Sequence, residues 1–308
     1  LRPSYGGYSS RSTISHTKLH PPNLFPPRIF LLSTFSQFSH KTLNSFSFFL
    51  CLLNRLMLFM EAPILFSSIP NLLPFFTFFL IIYLIAYFLI FPSWKPKLRP
   101  EASSCIISFF HGTPAVFLAL TSLLNDPDRN FQSPNTHLQN LVLDYSISYF
   151  LMDLTHYLIF YPSDVLFIGH HLATLFVFVT CRYVVYHGAY AILVLLILAE
   201  VTSFVQNTWT LANSRKSDVE LAAKVYALLS PPFYVLYSLV RGIAGPYFVY
   251  RMVSYYASGA ADNVIPRWLW VSWVFVVVTA ISVSIMWVSN LWVELYRERS
   301  RKFEKKVR

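Results

Sequence analysis

The sequence predicts an all-α, polytopic membrane protein, with about seven transmembrane helices packed as one bundle. Three observations carry this. Of the 308 residues, 55% are hydrophobic and only 12% charged, against about 25% charged in a soluble domain. Mean hydropathy is +0.50. Apolar runs near the roughly 20 residues that cross hydrocarbon recur along the chain, separated by short basic or turn-rich stretches.

Residues 1–59 stand apart from this pattern. They open on "LRPSYGGYSSRSTISHTKLHPPNLFPPRIF", Ser/Pro-rich and basic, and no Asp or Glu precedes Glu61. We read them as an extension outside the membrane domain, a translated upstream region or a transit-like segment, expected to be disordered. "MEAPILF" at Met60 makes a natural start, and residues 60–71 a short luminal lead. The apolar patch "SFSFFLCLLNRLMLF" is broken by Asn54 and Arg55 and is not counted as a span.

Seven spans follow, at about 72–92, 103–124, 141–161, 164–182, 189–212, 224–250 and 268–295. The first, "LLPFFTFFLIIYLIAYFLIFP", holds no charge. The second carries His111, and the third is polar. Only "YPSD" joins the third to the fourth, so these two form an antiparallel hairpin. The fifth carries Glu200. The sixth contains Ser230-Pro231-Pro232, which should break or kink it. The seventh is Trp-rich and leads into a basic tail, residues 298–308.

Charge sets the orientation, because basic residues of short loops stay cytosolic. Lys95, Lys97 and Arg99, then Arg215 and Lys216, then seven basic residues in the last twelve positions all fall on one side of a seven-span chain. The other side has isolated Arg129, Arg182, Arg251 and Arg267. The C-terminus is therefore expected in the cytosol. There Lys305 and Lys306, fourth and third from the end, resemble a dilysine retrieval signal of the endoplasmic reticulum, with coat protein as a partner. The bland alternative is a juxtamembrane run attracted to anionic lipid. The net charge of +10 suits a membrane surface, and no basic, aromatic-interleaved face indicates nucleic acid.

Ionisable groups inside spans are costly, so each is a functional candidate. His111, Asp153, His156, His170, His171, Glu200 and Arg241 qualify, with Asp144 nearer a span end. At 1.5 Å of rise per residue, His111, Asp153 and His170 lie roughly 9–13 Å from the cytosolic face, at one level of three helices. Asp153 and His156 share a helix face, so the carboxylate could orient that imidazole or raise its pKa. His170 and His171 are about 100° apart, so at most one points squarely at a given partner. Glu200 and Arg241 suggest a neutralised pair. A metal is not favoured: the His i, i+4 spacing of zinc helices is missing, as are the histidine boxes of di-iron hydroxylases. Cys51, Cys105 and Cys181 form no CxxC pair and read as buried thiols. A polar layer that merely fixes helix register is the structural alternative for any one residue; for the set, a polar cavity is the better reading.

The ordered motifs resemble the TLC (TRAM, Lag and CLN homology) domain. They are "SFFHGTPAVFLA", "DYSISYFLMDLTHY", "FIGHHLATLFVF", "LAEVTSFVQNTW" with Asn207, "YSLVRGIAGPYF" with Arg241, and "IMWVSNLWVELY". The resemblance covers about residues 72–297 and looks most like the small plant TLC domain-containing proteins, distantly related to ceramide synthases. It implies that His170 and His171 act as general base and acyl-handling groups with Asp153 beside them. Acyl-CoA would be a substrate and no resident cofactor is required. His111, His156, Glu200, Asn207 and Arg241 would line the cavity. Two departures oppose a ceramide synthase: its DxxD pair is replaced by a single Glu200, and its homeobox-like insert is absent.

The expectation is thus a multi-pass protein of the endoplasmic reticulum acting in lipid handling or homeostasis, with sphingolipid as one candidate class. It is read as leaning away from enzymatic activity, with membrane lipids and a second copy of the chain as partners. The alternatives are an acyl-CoA-dependent N-acyltransferase and a non-enzymatic cargo adaptor.

Overall fold

The computed structural model describes residues 71–307, and the side chains of 294, 298, 299 and 301–307 are excepted. The expectations for residues 1–59, for Met60 and for Cys51 lie outside the described residues, as do the side chains of Lys305 and Lys306.

Among the described residues the chain folds into seven helical rods. The first is α1 (Leu72–Ile85), which widens into a π-helical turn over Ala86–Ile90. The second is α2 (Arg99–Leu124), and the third is α3 (His137–Phe160). The fourth joins α4 (Val165–Val179) to a π-turn at Thr180–Val185. The fifth is broken between α5 (Ala189–Glu200) and α6 (Ser203–Arg215). The sixth runs through α7 (Glu220–Leu239), a π-turn at Val240–Ala244 and α8 (Gly245–Ala257). The seventh is α9 (Arg267–Val307), helical through the basic tail.

Six rods are long and apolar enough to cross a membrane. The exception is α3, and the reason is its place in the bundle. At 24 residues it spans about 36 Å, but it packs against α1, α2, α4 and α5. Asp144, Ser146, Ser148, Asp153 and His156 on it are all buried. Shielded from lipid by its neighbours, α3 tolerates a polarity that a lipid-facing helix cannot. The remaining rods close a ring with it, in the order two, three, four, seven, six, five, while α1 packs outside against α2 and α3.

Local chemistry places the ends. Thr136 and Gln139 form a reciprocal capping box at the start of α3, with bonds of 3.2 and 2.9 Å. The hairpin turn 161–164 ends on Asp164, whose carboxylate accepts from the Phe167 amide and starts α4. Pro114 lies inside α2 and lacks the N–H that would bond the Phe110 carbonyl. The Tyr145 hydroxyl of α3 donates to that freed carbonyl.

Of the two outcomes expected at the Pro pair, a break or a kink, the break does not occur. The Pro231-Pro232 pair does not break the sixth rod, which stays helical from Glu220 to Ala257. Phe233, Tyr234 and Tyr237 pack with Trp209 of α6 on this stretch. Trp209 Nε1 donates to Ser230 Oγ, which in turn donates to the Tyr226 carbonyl. This packing holds the helix across the two missing backbone bonds.

Candidate functional site

The α3–α4 hairpin brings Asp153 to His171. Asp153 lies eight residues before Tyr161 at the turn and His171 seven after Asp164, so antiparallel packing sets them level. His171 Nε2 is 2.9 Å from Asp153 Oδ2, and His171 Nδ1 is 2.7 Å from the Phe167 carbonyl oxygen. Ser104 of α2 donates to Asp153 Oδ1 at 2.6 Å. All three polar side chains are buried. Tyr157 and Phe150 pack on the imidazole, with ring centroids 5.3 and 5.7 Å away.

The hydrogen count follows from the partners. A backbone carbonyl only accepts, so Nδ1 carries its hydrogen toward Phe167. The Nε2–Oδ2 contact needs one more hydrogen, on either atom. The pair therefore keeps one proton between them, and neither ring nitrogen remains to take another from a substrate. His170 is exposed, and its ring stands nearly perpendicular to His171, at 84° and 5.6 Å. His171 is the buried one of the two.

His156 goes elsewhere. Ser104 and His171 engage the two Asp153 oxygens, and His156 Nδ1 meets the Tyr83 hydroxyl of α1 at 2.9 Å. His156 thereby also ties α3 to α1. His111 does not share the Asp153 level either. It sits seven residues beyond Ser104 on α2, about 10 Å further along the axis. Phe150 separates it from His171, contacting both rings at 5.6 and 5.7 Å.

A second polar group surrounds His111. Its ring stacks on Tyr149 at 3.9 Å and 4°, and Nε2 is 3.1 Å from Ser146 Oγ. Nδ1 is buried, has no hydrogen-bond partner among the described residues, and faces Glu200 Oε1 at 3.9 Å. Ser203 donates to Glu200 Oε2 at 2.5 Å, and Asn207 Nδ2 donates to Ser108 Oγ at 2.7 Å. Among the described residues Arg241 forms no ion pair with Glu200, contrary to expectation. Its Nη2 donates to the Ala199 carbonyl at 2.6 Å, from within the π-turn at 240–244. Of the residues singled out from sequence, Asp153 with His171 and His111 with Glu200 are brought together; His156 meets Tyr83, Asn207 meets Ser108 and Arg241 meets the Ala199 carbonyl.

One pair was not anticipated. Arg182 meets Asp144 at 2.9 and 3.2 Å, and Tyr183 and Asn71 also donate to that carboxylate. Asp144 lies seventeen residues before Tyr161 and Arg182 eighteen after Asp164, so the same hairpin spacing that pairs Asp153 with His171 would have found it. Among the described residues, no three His, Cys, Asp or Glu side chains converge as metal ligands.

Membrane-spanning rods around a buried His–Asp pair define a multi-pass membrane protein with a polar interior. A model of the TLC domain matches residues 101–293. The chain is 62% identical over 246 residues to the TLC domain-containing protein At5g14285 of Arabidopsis thaliana, covering 78% of this chain and 97% of that protein. No solved structure matches. The chain belongs to the TLC domain family, as its motifs led us to expect.

Proposed function

We propose that this protein handles lipid in the endoplasmic reticulum membrane, holding a polar head against the buried groups of α2, α3, α4 and the fifth rod, and that it does so without catalysis. The observation that carries this is the engagement of both His171 ring nitrogens. An imidazole already bonded to a carboxylate and a backbone carbonyl is fixed in the frame around the polar groups, not poised as a base. Membrane lipids are its partners, and the cavity reading includes His111, His156, Glu200, Asn207 and Arg241.

The cytosolic C-terminus and the reading of Lys305 and Lys306 as a retrieval signal belong to this proposal. The proposed unit is the domain 72–297, with 298–308 as a cytosolic tail.

The exposed His170 ring favours a second reading, an acyl-CoA-dependent N-acyltransferase in which His170 rather than His171 meets the reacting groups. Microsomes containing the protein, supplied with labelled acyl-CoA and sphingoid bases, separate the two. The binding account expects no product above a His170→Ala/His171→Ala control, and lipid that co-purifies with the wild-type chain. Product above that control would establish the acyltransferase.

A further inference from the structure

We propose that the gap between His111 and Glu200 receives a neutral hydroxyl, the head of an uncharged long-chain alcohol. This rests on the lipid-handling reading and names the chemistry of the group held.

Gly112 lets α2 approach Glu200 and Ser203 of the fifth rod closely. A Cβ at this position would lie 2.7 Å from Glu200 Oε2 and 2.8 Å from the Ser203 Cβ, so any larger residue would press on both. His111 is fully buried, yet its Nδ1 lacks a hydrogen-bond partner among the described residues. At 3.9 Å from Glu200 Oε1, the two atoms are too far apart for a direct bond. Glu200 Oε2 is satisfied by Ser203, which leaves Oε1 available, and a tenth of this side chain stays exposed. A buried nitrogen left open costs free energy unless some group completes it.

The flanking charges select that group. The Arg241 guanidinium is anchored on the Ala199 carbonyl, next in the chain to Glu200, and its buried Nε also lacks a partner among the described residues. An ammonium head would be opposed by this cation and a carboxylate or phosphate head by Glu200. A hydroxyl carries no charge and does both tasks at once. With Ser146 donating to His111 Nε2, the hydroxyl oxygen accepts from Nδ1–H and its hydrogen goes to Glu200 Oε1. The placement agrees with the break between α5 and α6 and with the π-turn at 240–244, since irregular helix in a membrane interior is tolerated where it lines a site.

The test uses the full chain in lipid nanodiscs and three photoactivatable diazirine probes of equal chain length: hexadecanol, hexadecylamine and hexadecanoic acid. Covalent labelling is located by mass spectrometry. We expect the alcohol to label peptides containing 108–112 or 199–207, and the two charged probes to label them about ten-fold less, the effect of one mismatched hydrogen bond to a charged group. Glu200→Ala should reduce alcohol labelling to the level of the charged probes. Because that change also removes the acceptor of Ser203, His111→Phe serves as a second variant that keeps the ring stacked on Tyr149. Equal labelling by all three probes, or alcohol labelling unchanged in both variants, overturns the hydroxyl assignment while leaving lipid handling intact. No labelling of a chain that still carries co-purified lipid means that water alone fills the gap, which also overturns it. A chain that neither labels nor carries lipid overturns the lipid-handling reading itself.

Discussion

His171 Nε2 lies 2.9 Å from Asp153 Oδ2, with both side chains at most 4% exposed. The contact ties α4 to α3 at the closed end of their hairpin, and Ser104 extends it to α2. Removing one partner leaves a buried polar group unsatisfied, whereas removing both leaves a smaller, apolar defect. Asp153→Ala should therefore lower the stability of the purified protein by about 3 kcal/mol. Asp153→Ala combined with His171→Leu should lower it by less than the two single changes together. Thermal unfolding in detergent reads the difference, and strict additivity would show that the contact carries no coupling.

The Tyr145 hydroxyl serves a carbonyl that Pro114 has freed. Tyr145→Phe should cost about 1–2 kcal/mol, the price of a buried carbonyl left open. In a Pro114→Ala background, where an N–H at 114 returns to bond Phe110, the same change should cost less than half as much. An equal loss in both backgrounds, measured by unfolding, would mean that the hydroxyl is not there to complete the kinked helix.

Two glycines on membrane helices are expected to respond oppositely. Gly112→Ala places a Cβ 2.8 Å from the Ser203 Cβ and should destabilise by about 1–3 kcal/mol through overpacking. Gly169→Ala meets nothing within 4 Å and should be neutral or stabilising by up to about 1 kcal/mol, as alanine is the better helix former. Parallel unfolding curves test the pair; a tolerated Gly112→Ala would contradict the close approach of α2 to the fifth rod.

Orientation has a direct test. Residues 258–266, between α8 and α9, are expected on the luminal side. A glycosylation acceptor inserted there should be modified in microsomes, and one inserted at 216–219 should not. The reverse pattern would overturn the assignment of the C-terminus to the cytosol.

Much of this was legible because hydrophobic length and hairpin spacing depend only on rise along the axis. The positions of the seven rods, the short turn at 161–164 and the meeting of the third and fourth rods follow from it. What sequence left open was direction around each axis. A π-turn adds a residue to its turn and rotates everything beyond it, and three rods contain one. Arg241 sits within such a turn, so spacing alone suggested Glu200 as its partner when it reaches Ala199. The fifth rod breaks just after Glu200, which spoils the helical register used to align it. The Tyr83–His156 contact was out of reach for a different reason: Tyr83 is on α1, and nothing local to α3 signals a contact across 73 residues. The third rod was recognisable as a span by length and motif, although its composition falls short of the other six.

The central claim, that the buried His171–Asp153 pair serves lipid handling, is tested most directly by lipidomics of cells lacking the protein, re-expressing either the wild type or a folded His171→Asn variant. The account predicts that the wild type restores the membrane lipid profile and His171→Asn does not, although both reach the same membrane at equal abundance. Full restoration by His171→Asn would contradict it.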